Sequence, residues 1–285
     1  MFNLKAVLAE FIGTFALVFV AAATALVNGN NLVPVALAEG FVVAAFIYAY
    51  GNISGAHINP AVTFGLALNG TVKWATAAFY WIAQFAGAIL AGFLLNYVVG
   101  TLGAKIDGGL TIGILTSPGK VSTPNNIMAM AFEAILTFFL VNTYLHTMVA
   151  GKPGPSAGWA VGMTLAFAVF AGGPFTGASL NPARTFGVAL FSTAAPASAS
   201  AAAAPAMQSI ADPFLYVIYF VGPLLGATLA VLAYNYFIGI TDEDFDVDDV
   251  DIEDAYELEE VEGIEEVVVE EKPVRKPAVR KTARK

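Results

Sequence analysis

Hydrophobic positions in this chain do not alternate with polar ones, and they do not keep to one face of a helix. They gather into six near-continuous apolar runs, at about 5–27, 34–50, 75–99, 126–149, 156–173 and 213–240. A run of ~20 apolar residues, rising ~1.5 Å per residue as a helix, crosses a hydrocarbon layer ~30 Å thick. The pattern therefore predicts six transmembrane helices. Small residues recur inside the runs, as at Gly13, Gly87, Gly92, Gly162 and Gly226, where they let helices approach closely in a bilayer. The breaks are polar or rich in turn residues. They are Asn28-Gly29-Asn30-Asn31 with Pro34, the stretch 100–125, and Gly151-Lys152-Pro153-Gly154-Pro155.

Two short segments between the runs carry the most information. Ser54-Gly55-Ala56-His57-Ile58-Asn59-Pro60-Ala61-Val62-Thr63 recurs in altered form as Thr176-Gly177-Ala178-Ser179-Leu180-Asn181-Pro182-Ala183-Arg184-Thr185. Asn is a favoured N-cap, because its side-chain oxygen accepts from an early backbone N–H. Pro suits the first helical position, where its missing N–H costs nothing. Each copy thus predicts a helix start behind a glycine-containing loop. The helix after Asn59 has about nine residues before Asn69-Gly70, or ~14 Å, half of a membrane crossing. A helix that stops halfway leaves irregular backbone at depth, which is tolerated only inside protein or against a wet cavity. Two such half-helices can meet end to end and complete one span around a pore.

The chain also repeats itself. Ala9-Glu10-Phe11-Ile12-Gly13-Thr14-Phe15 resembles Phe132-Glu133-Ala134-Ile135-Leu136-Thr137-Phe138, with Glu10 and Glu133 separated by 123 residues and Asn59 and Asn181 by 122. The offset grows to 139 between Gly87-Ala88 and Gly226-Ala227. The Ala/Ser/Pro-rich stretch 192–209 accounts for the difference as an insertion. Each repeat holds three spans, an odd number, so the second copy must insert upside down. Inverted repeats with broken helices place the functional site at the repeat interface near the midplane. The expected fold is an all-α membrane protein with six transmembrane helices and two re-entrant half-helices in an inverted repeat.

Composition refines this picture. The chain is 58% hydrophobic with formal net charge −9, and the acidity is local. Residues 242–285 hold 17 acidic and 7 basic residues, net −10, whereas the rest holds 5 acidic and 6 basic, net +1. The expected layout is a channel domain over 1–240, with repeat one at 1–100 and repeat two at 126–240. A tail over 241–285, acidic and then basic, follows it. Such charge blocks cannot bury a core and read as disordered and solvated. A sharper alternative sets the basic end on anionic headgroups. Cysteine is absent, which excludes disulfides and thiol chemistry. The N-terminus runs into the first span without a cleavage site and reads as that span rather than a signal peptide. Lys5, Lys73 and Lys152 share one side of a six-span topology, against Lys105 and Lys120 on the other. The termini are placed in the cytoplasm and the protein in the cell membrane.

The motifs SGAHINPAVT and TGASLNPART resemble the two signature loops of the aquaporin, or major intrinsic protein, family, and the resemblance covers about residues 4–240. It implies that Asn59, Pro60 and Ala61 meet Asn181, Pro182 and Ala183 at a pore centre. The asparagine N–H groups would donate to passing water or hydroxyls there, while the half-helix dipoles repel cations. That electrostatic exclusion is the known aquaporin-type device. The resemblance also implies a narrow constriction formed by Arg184 with Glu39, Val169 and Ala178. Water-selective members typically carry an aromatic, a histidine and a small residue at the last three positions, and this chain departs at Glu39 and Val169. The loss widens the filter toward glycerol or urea. A buried carboxylate is costly unless it is paired or neutral, so Glu39 is expected to pair with Arg184 or be protonated; a one-residue register error would instead turn it to a helix interface. Glu10 and Glu133 are expected to accept from half-helix loop backbone, and His57 to line the cytoplasmic side of the pore. The resemblance implies a homotetramer.

The expected function is a passive channel for water and small uncharged solutes that excludes protons and ions. One alternative is a proton- or ion-coupled transporter using Glu39, Glu10 or Glu133, and another is a structural protein with a closed pore. No catalytic constellation, cofactor motif or metal-ligand cluster is present, so no enzyme is expected. No nucleic-acid partner is expected either; the expected partners are water, small neutral solutes and membrane lipid.

Overall fold

In a computed structural model, residues 3–28, 31–101, 123–151, 154–191 and 213–243 are described. The insertion at 192–209 and all of the tail after Glu243 lie outside them, as does most of the 100–125 connection. The chain divides into two units, Met1–Asp242 and Glu243–Lys285.

Every regular element among the described residues of the first unit is a helix. α1 spans Leu4–Val27, α2 Leu32–Ser54, α3 Pro60–Leu68 and α4 Trp74–Thr101. α5 spans Thr123–Tyr144, α6 Ala157–Thr176 and α7 Pro182–Ala189. The last span begins as α8, Pro213–Tyr216, and ends as α9, Gly222–Glu243. A π-helical turn at Val217–Val221 joins its two parts, and a second at Leu145–Val149 extends α5. Among the described residues, six helices are long and apolar enough to cross a membrane. They carry little amphipathic character because lipid and protein interior are both apolar.

The first two helix starts have a local cause. Asn3 caps α1 through Ala6 N, and Asn31 caps α2 through Val33 N. Pro34 falls in the first turn of α2, where backbone N–H groups have no intrahelical partner, so α2 begins two residues before the apolar run suggested. α2 and α6 also run further than expected, through Ser54 and Thr176. The cause is polar and lies beyond hydrophobic patterning. Ser54 Oγ and Thr176 Oγ1 each donate to a buried glutamate, Glu10 and Glu133, at 2.6 Å. Left-handed Gly55 (φ 92°) and Gly177 (φ 81°) then stop the helices.

α1 packs along α4, and α2 along α6. Glycines set two of these approaches. A Cβ on Gly40 would fall 2.6 Å from the carbonyl oxygen of Gly162, and one on Gly162 would collide with that of Gly40. α2 and α6 therefore touch backbone to backbone one residue from Glu39. Gly87 sits on the carbonyl of Phe11 and Gly226 on that of Ala134, the same contact in the two repeats. The short helix α3 packs on α4 and α5, α7 packs on α4 and α1, and the two short helices contact each other.

Candidate functional site

α3 and α7 meet tip to tip. Asn59 Oδ1 accepts from Ala61 N at 2.8 Å, and Asn181 Oδ1 accepts from Ala183 N and Arg184 N at 3.1 Å each. Both side-chain oxygens are thus consumed by caps, which fixes the amide orientation. Asn59 Nδ2 donates to the carbonyl of Leu180 at 2.9 Å, and Asn181 Nδ2 donates to that of Ile58 at 2.9 Å. The bonds are reciprocal and tie each loop to the other. An amide nitrogen carries two hydrogens, so each asparagine keeps one beyond the cross-link. Pro60, Ala61, Pro182 and Ala183 are buried at the two helix starts.

The loops leading to those tips are bent by Ala56 and Ile58 in one copy and Ala178 and Leu180 in the other, all with positive φ. Left-handed backbone costs ~1–2 kcal/mol per non-glycine residue, so something must hold it. Glu10 Oε1 accepts from Ser54 Oγ and from His57 N at 2.9 Å, while Oε2 accepts from Ile58 N at 2.6 Å and Gln84 Nε2 at 2.8 Å. Glu133 Oε1 accepts from Thr176 Oγ1 and from Ser179 N at 3.0 Å, and Oε2 accepts from Leu180 N at 2.8 Å. Two adjacent backbone N–H groups therefore straddle each carboxylate. Both glutamates are fully buried.

Tyrosines hold the same loops from behind. Tyr80 Oη donates to the carbonyl of Ser54 at 3.0 Å and Tyr219 Oη to that of Thr176 at 2.6 Å. Tyr144 Oη donates to the carbonyl of Gly55. His57 Nδ1 is 3.1 Å from Thr63 Oγ1, and its ring meets those of Tyr80 and Tyr144 edge to face. The sequence reading did not single out Gln84 or these tyrosines. Tyr80 and Tyr219 lie 139 residues apart, the repeat offset beyond the insertion, which is the signal that could have found them.

A cavity passes the asparagines. Its wall includes Asn59, Asn181, His57, Arg184 and Glu39, with Val43, Ile47, Val161 and Leu165 as apolar surface. Arg184 Nη2 donates to Glu39 Oε1 at 2.6 Å, and Nη1 donates to the carbonyl of Ala178 at 3.1 Å. This is the ion pair found among the described residues. Glu39 is fully buried, and its Oε2 has no hydrogen-bond partner. Of the four filter positions, the structure brings Arg184, Glu39 and the Ala178 backbone together. Val169 is buried, and neither Val169 nor the Ala178 side chain lines this cavity. Glu10 and Glu133 stand behind the loops and do not line it.

Residues 1–234 match the family model described as major intrinsic protein. The chain is 36% identical to aquaporin TIP2-1 of Arabidopsis thaliana over 251 residues, covering 83% of this chain and 89% of that protein. It is 36% identical to aquaporin TIP2-1 of Zea mays over 262 residues, covering 85% and 93%. Its fold matches the X-ray structure of the aquaglyceroporin from Plasmodium falciparum with TM-score 0.69 at 23% identity, over 85% of this chain and 99% of that one.

Proposed function

The chain belongs to the major intrinsic protein family, and on that footing we propose that it is a passive channel conducting water and small uncharged solutes such as glycerol and urea. Members of this family are channels and not enzymes, and the six spans make this a multi-pass membrane protein.

One observation carries the proposal. The tips of α3 and α7 are locked together by reciprocal asparagine bonds, and both asparagines line the same cavity as Arg184. Two helix N-termini then direct partial positive charge at one point of the passage, which disfavours cations there. The remaining amide N–H groups offer donors to a molecule that carries a lone pair. Apolar wall on the other side offers no competing partner, so a solute has few places to bind tightly and can move on. The guanidinium of Arg184 supplies a second set of donors further along.

The fate of the carboxylates supports passive flow over coupled transport. A proton relay needs carboxyl groups that can exchange protons with the passage. Glu10 accepts from four donors and Glu133 from three, and neither lines the passage. Glu39 does line it but is tied through Oε1 to Arg184, with no second carboxyl among the described residues along the passage to relay to. The same reading places both termini in the cytoplasm, the protein in the cell membrane, four copies in the assembly, and the acidic-then-basic tail outside the conducting unit.

Stopped-flow light scattering on proteoliposomes tests the proposal. Water flux should exceed that of empty liposomes with a low temperature dependence, glycerol and urea should follow their gradients, and no current should accompany them. Electrogenic or pH-driven uptake would instead mark a coupled transporter.

A further inference from the structure

Glu10 and Glu133 hold their loops in the same way, but the first repeat adds a row of bonded side chains that the second lacks. Gln84 Nε2 donates to Glu10 Oε2 and to Thr63 Oγ1, each at 2.8 Å. Both amide hydrogens are spent there, and Gln84 Oε1 is buried with no partner. Thr63 Oγ1 donates to the carbonyl of Asn59 at 3.0 Å and lies 3.1 Å from His57 Nδ1. Gln84 and Thr63 are fully buried, whereas His57 reaches the cavity wall. In the second repeat, Ser179 and Thr185 take the places of His57 and Thr63 as two bonded hydroxyls, and Pro223 stands where Gln84 does.

We propose that Thr63, held by Gln84, is a positioning residue that fixes the neutral His57 ring with Nδ1 as donor, so that Nε2 is a hydrogen-bond acceptor facing the passage. The proposal rests on the channel reading given above. A threonine hydroxyl has one hydrogen and two lone pairs, and Thr63 Oγ1 has three neighbours. The Gln84 nitrogen can only donate, so it takes one lone pair. The Asn59 carbonyl can only accept, so it takes the hydrogen. What is left for Nδ1 is a lone pair, and Nδ1 must donate to it. Were the hydroxyl turned to Nδ1, its oxygen and that of Asn59 would face each other at 3.0 Å with no hydrogen between them. Turning over the Gln84 amide would set its oxygen against the Glu10 carboxylate. The hydrogen on Nδ1 leaves the ring's lone pair on Nε2.

The surroundings keep that lone pair open. A Cβ on Gly55 would fall 2.7 Å from Nε2, so the glycine leaves this nitrogen uncovered. Tyr144, on the same cavity wall, has given its one hydroxyl hydrogen to the carbonyl of Gly55. The spare amide hydrogens of Asn59 and Asn181 then meet the oxygen of a passing molecule, and Nε2 meets its hydrogen. With the hydrogen on Nε2 instead, the molecule would find donors in both places.

The other histidine of the chain, His146, does not line the cavity, and His146→Gln leaves His57 as the one histidine. Nitrogen NMR of that variant, labelled at histidine and held in lipid at a pH where the ring is neutral, tells which ring nitrogen carries the hydrogen. Nδ1–H is expected, and Nε2–H overturns the proposal. Adding Thr63→Val keeps the side-chain shape and removes the hydroxyl that claims the Nδ1 hydrogen. The hydrogen should then move to Nε2, and water flux per folded channel should fall about fivefold, the factor that one neutral hydrogen bond supplies. Thr63→Ser restores the hydroxyl and should restore both readings. Nδ1–H retained in Thr63→Val overturns the role of Thr63. Undiminished flux with the hydrogen moved to Nε2 overturns the role of that nitrogen in the passage. If Thr63→Val does not fold, the spectrum with Thr63 in place decides. Absence of water flux in the wild type overturns the channel reading, whichever nitrogen carries the hydrogen.

Discussion

Arg184 Nη2 lies 2.6 Å from Glu39 Oε1, between residues 145 positions apart in the chain. The pair joins α2 to the start of α7, and the second guanidinium nitrogen holds Ala178 in the loop before α7. Glu39 is fully buried and the Arg184 side chain nearly so. Removing one member of a buried pair strands the other and typically costs ~3–5 kcal/mol, more than the pair itself contributes. Arg184→Ala and Glu39→Ala should therefore each lower the thermal unfolding midpoint in detergent. The double variant should sit no lower than the worse single one. Strict additivity of the two losses would show that the groups do not act on each other.

Glu10→Gln and Glu133→Gln test the loop anchors. A glutamine has one acceptor oxygen and an NH₂ group that faces the donors it should accept from. In Glu10→Gln, one or both of the N–H groups of His57 and Ile58 lose a good partner, and in Glu133→Gln the same holds for Ser179 and Leu180. A stranded buried donor costs ~1–3 kcal/mol, with left-handed residues alongside that the bonds were holding. Both variants should give lower yields of folded protein and lower melting midpoints, with water flux falling in step. Normal stability with loss of a pH-driven flux would instead assign these carboxylates to proton transfer.

Much of this arrangement was legible in the residues. Six spans follow from apolar run length alone, and two half-helices follow from Asn-Pro at two places, since a cap and a first-turn proline leave little freedom. The inverted symmetry follows from an odd number of spans per repeat. The helix ends were less legible. α2 and α6 run on past their apolar runs because Ser54 and Thr176 reach glutamates 44 and 43 residues away, and no local pattern encodes a long-range bond. Gln84 escaped notice for a different reason. Its repeat counterpart by the 139-residue offset is Pro223, so the duplication that exposed the glutamates gives no hint of it. The π-helical turns at 145–149 and 217–221 have no signature in apolar periodicity at all.

Tyr80→Phe and Tyr219→Phe form a matched pair. Each removes one hydroxyl that donates to the last carbonyl of a span, Ser54 in one repeat and Thr176 in the other. Both rings are buried and would stay packed. A net loss of ~1 kcal/mol is expected from each, since a neutral hydrogen bond contributes about that much and the orphaned carbonyl retains its helical environment. The two variants should melt within a degree or two of each other, below the wild type, and their effects should add because the sites do not touch. A large difference between them would mean that the two repeats share geometry without sharing energetics.

Asn59→Asp and Asn181→Asp test what the joined tips do. Aspartate is as good an N-cap as asparagine, so Ala61 N keeps its acceptor in the first variant and Ala183 N and Arg184 N keep theirs in the second. A negative charge at a helix N-terminus is also favoured by the dipole, so both variants should fold. What changes is the other half of the side chain. The donor to Leu180 O or Ile58 O is replaced by an acceptor, and a full negative charge appears where two helix ends had left partial positive charge. Cations should then find a favourable site at the narrow centre in place of a barrier. Each variant should show monovalent cation currents in planar bilayers where the wild type shows none, and their sizes should be comparable because the cross-links are reciprocal at equal length. Silent bilayers with intact water flux in both variants would mean that the tips hold the loops together and the barrier to cations lies elsewhere, at Arg184.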